Sequence, residues 1–290
     1  MIRVGVLRGG NASGYEHSLK TGNVVMQHLS DAYHVQDIFV DKKGIWYMQG
    51  APVLPHDAAQ RVDVIFNALT AFDKDVHHFL DYISVPHTGS KAIELAVLNN
   101  RLLLKRAFET NEFKTPLHRE VLPGTDPVSL FRTFPMPAVI KFFTRPDVII
   151  VKSIEDLAQA LQTEEKVLIE EYIPGIKVST HVIENYREQE LYVLPPVEIH
   201  DTKHVVPSNL VHSIKDSLIS MAKKVHEFLS MRHYSHADFI VHPKRGIYLI
   251  RVNSLPDITE NSAFAKSLES VGGNVPHFIK HVVEMALEVK

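Results

Sequence analysis

Mainly apolar runs alternate with amphipathic stretches along the chain, and their order predicts a mixed α/β protein. Ile2 to Leu7 ends at Gly9-Gly10, the pattern of a buried parallel strand entering a glycine turn before a helix. A helix is expected from Ser18 to Leu29. Apolar runs at Val35 to Val40 and Val62 to Leu69 complete an alternating module that ends near Thr88-Gly89. Ser90 to Phe108 reads as helical, and the Pro- and Thr-containing stretch Glu109 to Pro137 as connecting structure. Strands follow at Ala138 to Lys141 and Val148 to Val151. Ser153 and Asp156 then have the spacing of a capping box that opens a helix through Leu161. A strand Val167 to Glu171 leads into Tyr172-Ile173-Pro174-Gly175.

The remainder mixes strands at Val178 to Ile183, Glu190 to Ile199, Ala237 to His242 and Gly246 to Val252 with long helices, which predicts a mainly antiparallel sheet flanked by helices. In the last helix Val275, Phe278, Ile279, Val282, Val283, Ala286 and Leu287 recur with helical spacing on one face, expected to be core. Three segments result: 1–89, 90–175 and 176–290. No internal repeat or low-complexity segment interrupts them.

The 290 residues exceed the usual size of a single core. The 45% hydrophobic and 22% charged composition, with a net charge of -3, is that of an ordinary globular chain and offers no basic patch for nucleic acid. Cysteine is absent, which excludes disulfides and thiolate metal sites. The first apolar run is too short for a signal peptide, and no stretch approaches a membrane span, so the expectation is a cytoplasmic protein. The 18 histidines are scattered, with only His77-His78 adjacent, and form no metal box.

Six short stretches, taken in order, carry a resemblance: VGVLRGGNASGYEHSLKTG, VPHTGSKAIELAVLNNRLLLKRAF, PAVIKFF, VLIEEYIPGIKVS, LPPVEI and HADFIVHPKRGIYLIRVNSLPDITENSAFAKSLESVG. Together the chain resembles the D-alanine–D-alanine ligase family of the ATP-grasp superfamily over roughly nine tenths of its length. The resemblance implies a three-domain ATP-grasp fold: an N-terminal parallel α/β domain, a small central α+β domain, and a larger C-terminal α+β domain with a mainly antiparallel sheet. It places a ligand in the cleft between the second and third domains, and implies a homodimer formed through the first domains. In that family ATP phosphorylates one D-alanine carboxylate and the amine of a second attacks the acylphosphate. Two Mg²⁺ ions on oxygen ligands assist the transfer.

By the same resemblance Glu16 takes the place of a glutamate that reaches the first D-alanine. Lys141 takes that of a nucleotide-binding lysine, although a surface cation closing a strand is the bland reading of the same residue. Glu170, Glu171 and Ile173 belong to the adenine hinge. Arg101 stands where a lysine touches the nucleotide, and Lys177 where a glutamate accepts from the ribose; an ammonium only donates. The phosphate loop reads Phe142 to Ile150, without glycine, with Pro146 lacking a donor and Asp147 adding negative charge, while Arg145 supplies a partly compensating positive one. Asp238 and Asn253 match metal ligands, but Arg251 replaces the glutamate that would bridge the two metals. His236 replaces an arginine that steadies the intermediate. Ser262 keeps the place of a serine that binds the second carboxylate, with an ordinary helix N-cap as its alternative. Ala68 to Asp73 replaces a His-Gly pair and an acidic glycine turn. The lid is cut to Asp201 to Val206, with Lys203 as the remnant of a phosphate-binding lysine.

Two functional readings follow. One is a homologue that has lost Mg²⁺-dependent phosphoryl transfer, is inactive or strongly weakened as a ligase, and serves as a binding or regulatory protein, with ATP as a possible ligand and Mg²⁺ doubtful. The other is an active ATP-dependent carboxylate–amine ligase with a rearranged phosphate site, making D-alanyl-D-alanine or a relative in peptidoglycan precursor synthesis.

Overall fold

The computed structural model describes residues 1–11, 13–29, 33–83, 85–144, 147–200 and 203–288. The first segment opens with β1 (Arg3–Gly9), α1 (Tyr15–Leu29) and β2 (His34–Val40). A small antiparallel extension follows, β3 (Trp46–Met48) and β4 (Ala51–Pro52), and then α2 (Pro55–Gln60), β5 (Val64–Asn67) and α3 (Lys74–Tyr82). The five strands form one sheet in the order β4-β3-β2-β1-β5, with β1 parallel to both β2 and β5. Val4 and Val6 alternate with Gly5 and Leu7 toward opposite sides, so both faces of β1 are covered, as its uninterrupted apolar character requires. Gly9 ends the strand with φ 95°, and a Cβ there would lie 2.1 Å from the Val40 carbonyl oxygen. That same carbonyl accepts from the Gly10 N–H at 2.9 Å.

The expected helical run Ser90 to Phe108 is two helices, α4 (Ala92–Asn99) and α5 (Arg101–Thr110), parted where the Asn100 side chain caps the second by accepting from Leu103 N–H. The stretch expected to be connecting holds β6 (His118–Val121) and α6 (Pro127–Thr133). Pro127 at the first helical position and the Asp126 cap, which accepts from Val128 and Ser129, give that helix a local start that an apolar pattern alone does not display. After β7 (Ala138–Phe142) and β8 (Val148–Val151), α7 (Ile154–Ala160) begins on the predicted reciprocal cap between Ser153 and Asp156. With β9 (Val167–Glu171) these strands make an antiparallel sheet in the order β6-β9-β7-β8, whose apolar side packs on α6 and α7.

The last segment begins with β10 (Ile176–Tyr186), which pairs with β11 (Gln189–Val193) and with β12 (Val197–His200). The single strand expected from Glu190 to Ile199 is therefore two. Pro195 and Pro196 sit at the break, where neither has an N–H to give a ladder. Next, β13 (Lys203–Val205) pairs antiparallel with β12, so the later part of the expected lid is strand, and Asp201 and Thr202 lie outside the described residues. The chain ends with α8 (His212–Phe228), β14 (Tyr234–His242), β15 (Gly246–Asn253), α9 (Ala263–Ser270) and α10 (Val275–Glu288). The sheet runs β13-β12-β10-β14-β15, with β11 beside β10.

Two compact units emerge. Met1–Asn99, Lys177–Asp238 and Arg251–Lys290 form one, and Asn100–Ile176 with Phe239–Ile250 the other. The expected first and third segments thus fall largely in one unit, which has a shared core. In it Phe278, Ile279, Val282, Val283 and Ala286 of α10 meet Val4 and Val6 of β1, together with Tyr234 and Phe264. The apolar stripe of the last helix is core, as its period predicts.

Candidate functional site

In the second unit, α5, β7 and β9 bring three charges into contact. Val139 of β7 is opposite Glu170 of β9, and Lys141 lies two residues along on the same face. Lys141 Nζ is 2.7 Å from Glu170 Oε2, and Lys105 Nζ is 3.0 Å from Oε1. All three residues are buried. Lys141 is therefore no surface cation closing a strand. Burial pushes its ammonium down from the ordinary lysine range, partly offset by Glu170. Burial also pushes the Glu170 carboxyl up, but Lys141 and Lys105 outweigh it and hold Glu170 below the usual carboxylate range. Arg101, one turn before Lys105 on α5, adds to the field at Lys141. Glu171 points to the other face of β9 and meets Arg245 Nη1 at 2.7 Å, and Ile173 is buried just beyond the strand.

In the first unit, β10, β14 and β15 lay out two polar rows. The first is Ser179, Asp238 and Arg251. Asp238 Oδ1 takes Ser179 Oγ at 2.9 Å and His236 Nε2 at 2.7 Å, while Oδ2 takes Arg251 Nε at 3.0 Å and Nη2 at 2.7 Å. The second row is His181, His236 and Asn253. His181 is fully buried and stacks on His236 with ring centroids 4.9 Å apart, and Asn253 Nδ2 is 3.3 Å from His236 Nδ1. His236 Nε2 is also 2.7 Å from Ser179 Oγ, so a proton on Nε2 shared between Asp238 Oδ1 and Ser179 Oγ, with a lone pair on Nδ1, satisfies its three polar contacts. Burial would raise the Asp238 carboxyl, but His236 and then Arg251 hold it well below the ordinary range. Burial, and then His236, keep His181 neutral. Lys177 lies two residues along β10 from Ser179 and is exposed.

The remaining expected residues stand elsewhere. Glu16 is exposed in the first turn of α1, with no hydrogen-bond partner among the described residues. Ser262 caps α9, accepting from Ala265 N–H at 3.1 Å, which is the alternative weighed for it. Of the expected phosphate loop, Arg145 and Pro146 lie outside the described residues. Among the described residues no three His, Asp or Glu side chains are grouped to hold a metal ion, and no helix is long and apolar enough to cross a membrane.

Comparison with known proteins bears on what these two clusters are. The family described as D-ala D-ala ligase C-terminus matches residues 148–284, which include β8, β9 and both polar rows. The D-alanine–D-alanine ligase of Moorella thermoacetica is 28% identical, over 99% of this chain and 100% of that one. Along its whole length the chain is similar to D-alanine–D-alanine ligases. Its ATP-grasp fold agrees with two solved structures. The D-alanine-D-alanine ligase from Coxiella burnetii superposes with a TM-score of 0.85 at 17% identity, covering 99% of this chain and 94% of that one. D-alanyl-alanine synthetase A from Vibrio cholerae gives 0.87 at 21%, covering 99% and 98%.

The two clusters include three contact residues that sequence reading passed over: Lys105, Ser179 and His181. Each had a signal. Lys105 is four residues after Arg101, hence one turn along the same helix face, and Ser179 and His181 follow Lys177 at the two-residue period of a strand.

Proposed function

We propose that this protein is a D-alanine–D-alanine ligase homologue in which Mg²⁺-dependent phosphoryl transfer is lost or strongly weakened, and which acts as a binding or regulatory protein. One observation carries the reading: both oxygens of Asp238 are taken by protein donors, and a guanidinium stands where the family resemblance implies a metal-bridging glutamate. A hard cation needs carboxylate or carbonyl oxygens, and a positive charge against Asp238 repels it. Mg²⁺ does not fit this donor set. ATP fits better, because the buried Lys141 and Glu170 keep the family's nucleotide-side groups, although Lys177 cannot accept from a ribose. The protein works in the cytoplasm as a homodimer, in line with the family.

The active-ligase reading has one supporting feature, the intact Lys141–Glu170 pair. The two readings separate on phosphate release from ATP and Mg²⁺ with D-alanine. We expect no D-alanine-dependent release above background; turnover at about 1 to 10³ per second, the usual enzymatic range, would establish the active ligase instead.

A further inference from the structure

Arg251 has five N–H groups, of which Asp238 uses two, on Nε and Nη2. The outer edge of the guanidinium, formed by Nη1 and the second Nη2 hydrogen, has no partner among the described residues, and the side chain is 60% exposed. Its orientation is fixed from below. Asp238 is itself held by Ser179 and His236, and His236 by Asn253 and the stacked His181. Such a fork, prevented from swinging, matches the geometry of a phosphate oxyanion at a lower cost in side-chain entropy than a free surface arginine. Charge points the same way. Lys177 and Arg251 against the single carboxylate of Asp238 leave the strip one charge positive, and that carboxylate is already saturated.

We propose that the strip of Lys177, Asp238 and Arg251 binds a phosphate group directly and without a metal, with the guanidinium of Arg251 as a built-in cation. This rests on the reading that the site does not serve a divalent ion. The ligand is either a nucleotide phosphate or free phosphate; both present the same oxyanion.

The test is isothermal titration of the full chain with ATP, ADP and inorganic phosphate, each in EDTA and again in excess Mg²⁺. At least one of the three should bind in EDTA, with affinity unimproved by Mg²⁺ and falling as salt is raised. Binding by phosphate alone would identify free phosphate as the source, and binding only by ATP or ADP a nucleotide; either supports the site. Arg251→Gln should weaken binding roughly tenfold or more, as expected for loss of a charged hydrogen bond. Lys177→Gln, at an exposed position with no side-chain partner among the described residues, leaves the fold intact and should weaken binding about threefold. Failure of all three probes in EDTA, binding that requires Mg²⁺, or parent-like affinity in Arg251→Gln overturns the proposal. D-alanine-dependent phosphate release is scored separately. A protein that neither turns over nor responds to Arg251→Gln sinks this inference alone, whereas normal turnover sinks the reading beneath it.

Discussion

Glu170 faces two buried ammonium groups, so the three side chains differ in how much each can be spared. Glu170→Gln leaves Lys105 and Lys141 buried without a counter-charge and should lower unfolding free energy by about 3 kcal/mol or more, read from urea midpoints. Lys105→Met leaves a neutral Lys141–Glu170 pair and should cost only about 1 kcal/mol. Equal losses would mean that the two lysines do not share one carboxylate. At the other cluster, Arg251→Glu supplies an oxygen ligand beside Asp238 and Asn253, and Mg²⁺ titration should then show affinity that the parent lacks. Turnover should not return with it, since positioning and electrostatic stabilisation act together and His236 and Lys177 are unchanged. The members of this cluster were legible one by one, from spacing against the family pattern. Their mutual saturation was not, because it depends on strands brought together from positions 179, 238 and 251.

Elements with strong local signals match expectation closely. Val148 to Val151 and Val167 to Glu171 have the predicted bounds, and α7 starts on its capping box. What failed was continuity. A run of apolar residues cannot show that Asn100 caps a new helix or that Pro195-Pro196 splits a strand, because both are decided by single backbone donors. Short pieces such as β3, β4 and β6 carry too few residues for a period to show. The helix α10 lies at the opposite extreme. Phe278 is fully buried and meets Tyr234 and Phe264 edge to face, at 5.6 and 4.6 Å between centroids. Phe278→Ala should therefore cost about 3–5 kcal/mol in chemical denaturation. A loss below about 1 kcal/mol would mean that this helix is not part of the first unit's core.

Across the whole molecule, buried histidines make stability a function of pH. Burial lowers His77, His87, His181 and His233 alike, and His233, whose Nδ1 accepts from Gly89 N–H at 2.9 Å, is pushed down to about 4 by burial and then by Arg232. Between pH 4 and its unfolded value the unfolded chain holds a proton that the folded chain gives up, so stability rises with pH across that window. Acidifying from pH 7 to 4 should remove about 3 kcal/mol through His233 alone. His233→Asn, which tolerates the positive φ of that position, should flatten the slope of urea midpoint against pH. An unchanged slope would show that His233 does not titrate as its burial requires. Below these values Glu170, Glu184 and Asp238, all held low, add losses of the same sign. The close approach at Gly9 reaches further than stability. Any side chain there collides with the Val40 carbonyl whether or not the molecule performs a reaction, so the glycine signature at the head of the chain is enforced by geometry. A lineage could shed its chemistry step by step and still present that signature unaltered. Sorting relatives by their glycine loop would then group them by architecture, and a census of which ones still make a bond would have to be taken at positions 177, 236 and 251.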